Sequence, residues 1–455
     1  MKKMVNGEIT AFLSLVFLLL LSLTGAVLES ASIQLLKNEK RADAGRAAES
    51  VFAEYQRELL EEYDIFAVET GYESGTVSAS NILNRLSFYG AENMETDIEA
   101  IRYLTDGNGQ EFYSQAVWYE KERTGAAAVE ELAGDLSVWK EQEKQTEEFG
   151  KENIETSEEL ERVLQEGEQS LPKENNPLES VAGIRAGGLL HAVLPEGFAL
   201  SQRAVNLQEQ ASQRGCRKGY GNLKERKTGA GDTIFFNLYL LEKFCHAAEP
   251  ENGGALQYEL EYLLEGKGSD MENLEAVVKK LCGVRFAANY GYLLTDMAKQ
   301  GEAESLAAAM CTLLLLPEAV PVVKHALLLA WAYAESVVDI RTLLAGKKVP
   351  LLKSAATWQV SMEGLMQFGE NGNVQEGTDT EGGLSYERYL QMLLFLEKKE
   401  TLAMRALDLV EMNLRTQSGQ TYFRVDACVT GAKFAVRCPL RRGVRYEFST
   451  VFQYQ

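Results

Sequence analysis

The sequence ITAFLSLVFLLLLSLTGAVL, residues Ile9–Leu28, decides the architecture of this chain because it contains twenty residues without a charge. A helix of that length, at about 1.5 Å per residue, crosses the roughly 30 Å hydrocarbon layer of a membrane. Lys2 and Lys3 precede it, and the positive-inside rule assigns that end to the cytoplasm. The segment therefore predicts a single-pass cell-membrane protein whose residues after Leu28 are extracytoplasmic.

Two other interpretations of this segment compete with a retained anchor. A cleaved secretory signal needs small residues at its end, and Thr24-Gly25-Ala26 offers a poor site. A pilin-type leader is cut after a glycine, and Gly7 is well placed for that. Type IV pilins then usually carry a glutamate where this chain has Phe12. A retained span is therefore the interpretation that the segment favours.

The composition limits the classes of function. The chain has 455 residues and a formal charge of −21, which argues against nucleic-acid binding. Apolar residues make up 45% of it, enough for one large or two medium folded regions outside the membrane. The six cysteines form no C-x-x-C pair and only three histidines are present, so the sequence indicates neither a metal site nor a cofactor.

The pattern along the chain predicts a mainly α (α+β) fold. LPKENNP, at Leu171–Pro177, is the best linker, and the basic, glycine-rich run Gly215–Gly231 favours a flexible surface loop. From about Thr233 the chain carries dense apolar helical faces. The predicted division is a cytoplasmic N-terminus (1–8), a transmembrane helix (9–28), an extracytoplasmic helical stalk with a small α/β insertion (29–170), a linker and loop-rich region (171–232), and a helical globular domain ending in β-strands (233–455).

The stalk is predicted to begin as a helix that continues directly from the span. Ala44, Ala47, Val51 and Phe52 recur at three- and four-residue steps and form one apolar stripe. The small residues of this stripe are also suited to close packing against a partner helix. We expect a second long helical segment, about Glu111–Gln169, to fold back along the stalk as an antiparallel pair.

Two stretches predict β-structure. Glu95–Leu104 reads as a strand closed by the turn signal Asp106-Gly107-Asn108-Gly109. Alternating apolar residues in Tyr422–Gln455 predict a terminal antiparallel hairpin, with its turn at Thr430-Gly431-Ala432.

Several stretches resemble a family of uncharacterised membrane-anchored proteins of Gram-positive bacteria, often encoded beside tight-adherence (Flp-type) pilus assembly components. They are GEITAFLSLVFLLLLSLTGAVLESA, AEYQRELLEEYDIFAV, YELEYLLEGKGSDMENL, WAYAESVVDIRTLLAGKKVPLLKS and LSYERYLQMLLFLE. The resemblance as a whole extends over nearly the entire chain. The resemblance implies no catalytic residues, because that family has no established activity. One departure is Asp64, where the family more often has glycine.

Polar and charged residues lie inside the most apolar helical segments, where a charge is costly unless it is paired. We interpret them as a structural ion network in which Arg285 pairs with one of the carboxylates. A carboxylate pair spaced i, i+4, such as Glu335 and Asp339, could instead carry acid–base chemistry in a cleft, but no nucleophile, histidine or metal motif accompanies it. The network comprises Glu259, Glu261, Arg285, Glu335, Asp339 and Arg341, with Asn289 and Lys353 nearby.

The remaining candidates are weaker. Cys428 and Cys438 flank the predicted hairpin turn, which makes them a candidate disulfide. Cys245-His246 is interpreted as part of a buried helix. Arg437, Arg441, Arg442 and Arg445, with Lys433, make the hairpin basic, so it either binds anionic polymers or lipid headgroups or serves as a solvated edge.

The expected function follows from the anchor, the helix that continues from it, and the resemblance. It is a non-enzymatic, membrane-anchored extracytoplasmic protein that serves as a structural or accessory component of a Flp-type pilus system. Its expected partners are the membrane and pilin-like or pilus-assembly proteins, with no nucleic acid. The alternative is a membrane-tethered extracellular enzyme or ligand-binding ectodomain.

Overall fold

The computed structural model describes residues 5–72, 74–124, 127–167, 176–226, 228–229, 231–251, 253–368 and 374–454. Lys2, Lys3 and most of the Leu171–Pro177 linker lie outside these residues. The chain forms two compact units, each assembled from separate segments. The first contains residues 1–115, 215–227 and 418–455, and the second contains residues 116–214 and 228–417.

The first unit combines helices with a four-stranded antiparallel sheet. The central strand pairs with two long strands, one along each edge, and with a short strand at its beginning. Helix α4 continues from this unit into the second. The elements are α1 (Val5–Phe52), α2 (Arg57–Tyr63), β1 (Val68–Glu69), α3 (Ala79–Leu86), β2 (Glu95–Tyr103), α4 (Asp106–Arg123), β3 (Cys428–Pro439) and β4 (Arg445–Gln453).

Helix α1 is unbroken over 48 residues. Its stretch Ile9–Leu28 is exposed almost throughout, and it is long and apolar enough to cross a membrane. Further along the same helix, Ala44 and Ala47 are fully buried. One helix therefore carries both the apolar segment and part of the first unit's core.

The core of the first unit lies between α1 and the sheet. Phe52 stacks on Phe452 of β4 with the ring centroids 4.5 Å apart, and Val51 is fully buried. Phe434 and Val436 of β3 contribute to the same cluster. The alanine stripe of α1 is consequently covered by this unit's own apolar residues, which corrects the expectation that it is free for a partner helix.

The terminal hairpin forms, but its turn is not the predicted one. Strand β3 runs straight through Thr430-Gly431-Ala432, and Gly431 pairs with Gln453. A side chain at Gly431 would meet Gln453 Cγ at 2.9 Å, so this glycine permits close strand packing. The turn lies at Arg441–Gly443, where Gly443 has φ +75°, a backbone conformation that suits glycine.

The basic segment 215–227 is also different from its predicted form. It lies against β2, with Tyr220 bridged to Ile101 by two backbone hydrogen bonds. A side chain at Gly221 would collide with the backbone carbonyl oxygen of Glu99. The glycines of this segment therefore allow its backbone to approach the sheet edge, and the segment is a part of the first unit.

The second unit is helical. Its centre is α10, which packs against α5, α9 and α12, and α12 also contacts α11, α6 and α7. The prediction that the segment after Glu111 folds back along the stalk helix is wrong, because α5 packs here. The helices are α5 (Ala127–Glu166), α6 (Pro177–Gly183), α7 (Leu189–Val193), α8 (Asp232–Lys243), α9 (Glu259–Glu265), α10 (Asp270–Leu293), α11 (Met297–Leu313), α12 (Val320–Leu344), α13 (Met362–Met366), α14 (Tyr386–Leu394) and α15 (Lys399–Thr416).

The fold class and the predicted early strand match the sequence-based predictions. The chain is mainly helical with an antiparallel sheet, and β2 covers the predicted strand. Ser385 caps α14, because its side chain accepts a hydrogen bond from the backbone amide of Arg388. Asp64 ends α2 in a left-handed conformation with φ 55°, which explains why glycine is favoured there. The predicted linear division is corrected, because the terminal strands share a sheet with the early strands rather than with residues 233–417.

Candidate functional site

Four ionisable side chains meet in the interior of the second unit, between α10 and α12. Arg285 Nη2 lies 2.9 Å from Asp339 Oδ2. Lys353, in the loop after α12, places Nζ 2.5 Å from Glu335 Oε1 and 2.7 Å from Asp339 Oδ1. All four side chains are completely buried. The predicted pairing of Arg285 with a carboxylate is therefore confirmed, and Asp339 is the partner.

Neutral groups complete the hydrogen bonding of this cluster. The side-chain amide of Asn289 donates to Asp339 Oδ2 at 3.0 Å. The backbone amide of Val360 donates to Glu335 Oε2 at 2.8 Å, and Arg285 Nη1 donates to the carbonyl of Leu351 at 2.9 Å. The cluster thereby fastens α10 and α12 to the loop that follows α12.

The charges of the cluster balance, since two cations face two carboxylates. Burial raises the pKa of Glu335 above its ordinary value, although the ammonium of Lys353 opposes this effect. Burial acts in the same direction on Asp339, but Lys353 and Arg285 together outweigh it and lower the pKa of that carboxyl. Glu335 and Asp339 share a helix face as predicted, yet neither reaches solvent, so the arrangement holds helices together and offers no substrate access.

Glu259 lies in a separate buried site, on α9. Its Oε1 accepts a hydrogen bond from the side-chain amide of Asn413 at 2.6 Å, and its Oε2 accepts the backbone amide of Cys245 at 3.1 Å. Burial raises the pKa of Glu259. Glu259 does not join Arg285, which corrects its predicted place in a single network.

Glu261 is likewise separate from the cluster around Arg285. It accepts hydrogen bonds from the hydroxyl of Tyr386 at 2.8 Å and the backbone amide of Ala247 at 3.0 Å. Its other oxygen has no hydrogen-bond partner among the described residues. Burial raises the pKa of Glu261 to about 7. This carboxyl is thus a buried acid held by neutral donors.

Arg341 also stands outside the network. Its Nε donates to Glu376 Oε1 at 2.7 Å, and its Nη1 donates to the carbonyl of Leu194 at 2.6 Å. The predicted six-residue network is therefore divided into one cluster around Arg285, two separate buried glutamates, and an arginine that ties α12 to neighbouring loops.

The predicted disulfide between Cys428 and Cys438 is wrong. Both residues lie on β3, ten positions apart, and a strand of that length spans about 33 Å. A disulfide requires Cα atoms within about 7 Å of each other. Cys438 Sγ instead lies 3.7 Å from the carbonyl oxygen of Tyr446. The error follows directly from the misplaced hairpin turn.

The other cysteines and histidines that the structure describes form no metal site. Cys245 and His246 follow the end of α8 at Lys243 rather than lying within a helix. His325 bonds to Tyr290 OH at 2.7 Å and lies 3.0 Å from Glu152 Oε1. Over the described ranges, no group of three or more histidine, cysteine, aspartate or glutamate side chains could hold a metal ion.

A groove on the second unit was not anticipated. It is lined by α5, α6 and α12, and Arg185 lies in it. The guanidinium of Arg185 lies 4.4 Å from the centroid of the Tyr333 ring and donates to Asn153 Oδ1 at 3.0 Å. Three distant segments converge here, so no local sequence signal could have identified the groove.

Comparison with known proteins identifies one family. A family model described as a family of unknown function (DUF5702) matches residues 167–439, which is more than half of the 455-residue chain. No curated protein and no solved structure shows significant similarity to the chain. The match covers the second unit's helices from α6 to α15 and the strand β3, and it carries no stated activity.

Proposed function

This chain belongs to DUF5702, a family of unknown function, and we propose that it is a non-enzymatic, membrane-anchored extracytoplasmic protein. The observation that carries the proposal is the continuity of α1. The helix presents Ile9–Leu28 as an exposed apolar segment and then buries Ala44 and Ala47 in the first unit. Such a helix couples a folded unit directly to the membrane, without a hinge between the two.

The orientation rests on the sequence. Lys2 and Lys3 stand before the span, so the positive-inside rule assigns the short N-terminus to the cytoplasm. Both folded units then lie outside. The proposal of a non-enzymatic role is supported by the charged cluster around Arg285, because its side chains are buried away from solvent. An acid–base site needs a cleft that admits substrate.

The finer proposal is that the protein is an accessory component of a Flp-type pilus system, and it rests on the sequence resemblance described above. Its contact with pilin-like subunits is assigned to the span, since the alanine stripe of α1 is covered within the first unit. Gly25 suits such a contact, because a side chain built there meets no atom within 4 Å and small residues let helices approach closely in lipid.

The proposal is tested by in vivo crosslinking of Gly25→Leu and of a matched control, Leu20→Ile. Leucine at Gly25 fits the isolated chain, so any loss of crosslinking comes from a partner helix. We expect Gly25→Leu to reduce crosslinks to pilin-like proteins severalfold while Leu20→Ile retains them. Equal crosslinking of both variants, together with normal piliation, would contradict assembly through the span and leave a freestanding anchored protein.

A further inference from the structure

The tip of the hairpin between β3 and β4 lies at the membrane-proximal end of the first unit. Tyr446 of β4 packs under two cations of α1, with Lys37 Nζ 5.1 Å and the Arg41 guanidinium 5.4 Å from the ring centroid. At the other end of β4, the Phe452 ring stacks on Phe52. Strand β4 therefore runs beside α1 in the same direction.

The lengths of the two elements agree. From the level of Lys37 and Arg41 to Phe52, the helix advances eleven to fifteen residues, about 17–23 Å. From Tyr446 to Phe452 the strand advances six residues, about 20 Å. Because the two distances match, β4 is close to parallel with the axis of α1, and residues before Tyr446 lie nearer to the membrane.

The height of the tip above the span follows from the same geometry. Lys37 and Arg41 lie nine to thirteen residues beyond Leu28, about 14–20 Å along the helix. Arg445 pairs with Pro439, and the turn beyond that pair extends a few ångströms further toward the membrane. The tip therefore lies roughly 5–15 Å from the end of the span. The headgroup layer is about 5–8 Å thick, a gap that long arginine side chains can cross.

The tip is strongly basic. Arg441 and Arg445 are exposed. Arg442 adds a third positive charge in the sequence. Arg437, further up the hairpin, faces Asp97 at 3.7 Å and Glu447 at 3.5 Å, so its charge is largely offset. Among the described residues of the hairpin, the positive charge without a nearby carboxylate therefore lies at the end closest to the membrane.

We propose that the hairpin tip, residues 440–445, is a binding surface for anionic phospholipid headgroups of the membrane that holds α1. The inference rests on the proposed anchoring by Ile9–Leu28. A basic residue near an anionic surface strengthens binding about fivefold. Together with the span, the tip fixes the rotation and tilt of the first unit on the membrane. A lipid headgroup is favoured over a soluble polymer because α1 holds the tip permanently at headgroup height.

The test uses the full chain reconstituted in nanodiscs of phosphatidylcholine alone or of phosphatidylcholine with phosphatidylglycerol. Hydrogen exchange is measured at the backbone amides of residues 440–445. We expect exchange to be about tenfold slower in the anionic discs at low salt, and the difference to shrink at high salt, since screening weakens contacts between exposed charges.

The variant Arg441→Gln/Arg445→Gln should abolish the difference between the two kinds of disc. Its control, Arg46→Gln/Arg57→Gln, removes the same charge from side chains that are 72% and 76% exposed, and it should retain the difference. Arg46 lies about 27 Å along the helix from Leu28, beyond reach of the headgroups.

The outcomes distinguish this proposal from the anchor itself. If the chain enters both kinds of disc but residues 440–445 exchange at equal rates, the headgroup contact is overturned and the anchor stands. If the chain does not enter discs at all, the anchor fails. Protection that appears in neutral discs only after addition of soluble polyglycerol phosphate would assign the tip to a wall polymer and overturn the lipid assignment.

Discussion

Replacement of Arg285 by alanine should be among the most destabilising changes in the second unit. Arg285 is completely buried and contributes one of the two positive charges that face Glu335 and Asp339. Without it, Lys353 alone faces both carboxylates and the interior holds one uncompensated negative charge. Breaking a buried ion pair in this way costs about 3–5 kcal/mol.

The measurement is the free energy of unfolding of the full chain in detergent, from denaturant titration followed by circular dichroism. The matched control is Lys279→Ala on the same helix, α10, which breaks the pair of Lys279 with Glu275; these two side chains are 61% and 43% exposed. An exposed pair of this kind is worth about 0–1 kcal/mol. The unfolding transition of the second unit should therefore shift strongly for Arg285→Ala and hardly at all for the control.

A double-variant cycle shows whether the loss belongs to the pair itself. Removal of Arg285 and Asp339 together restores neutrality, because Lys353 then faces Glu335 alone. We expect the double variant to cost less than the sum of the two single variants, by about 0.5–3 kcal/mol. Equal effects of Arg285→Ala and Lys279→Ala would refute the reasoning and place Arg285 at an accessible surface.

Three further predictions follow from the same contacts. Burial raises the pKa of Glu261 from 4.5 to about 7, so its contribution to stability, up to about 3 kcal/mol, is complete below pH 4.5 and is lost as the pH rises through 7. The variant Glu261→Gln should flatten this part of the pH–stability curve, and an unchanged slope would contradict the burial of Glu261. Non-reducing peptide mapping should find no crosslink between Cys428 and Cys438, which one strand holds about 33 Å apart, and a recovered crosslink would disprove the register of β3. Ala47→Leu should destabilise the first unit by about 1–3 kcal/mol because Ala47 is fully buried, whereas Ala42→Leu, on the exposed face of α1, should be tolerated. Equal unfolding midpoints of the two variants would indicate that the alanine stripe is accessible to a partner helix.

The sequence predicted most reliably those features that depend on local composition. The span Ile9–Leu28 follows from its lack of charge, and the apolar stripe after it follows from helical periodicity; both lie on α1. The pairing of Arg285 was also predictable, because a charge inside an apolar helix needs an opposite charge nearby. Which carboxylate serves as partner depends on how α10 and α12 cross, and no local pattern contains that information.

Two of the errors share a cause, which is that small residues serve several structural purposes. Gly431 resembled a turn residue, yet it lies within strand β3. A glycine suits this position because the side chain of Gln453 comes within 2.9 Å of where a Cβ atom would lie. Ala44 and Ala47 suit a membrane helix pair and a soluble core equally well. The separation of Glu259 and Glu261 from Arg285 likewise depends on tertiary contacts, since each glutamate found neutral donors from distant segments.

The central claim is that α1 spans the membrane and carries both folded units on the outer side. It is tested most directly by alkaline carbonate extraction combined with protease treatment of intact protoplasts. The account predicts that the full chain stays in the membrane pellet and that external protease digests residues after Leu28 while the cells remain sealed. Release into the carbonate supernatant, or protection of these residues until the membrane is broken, would contradict it.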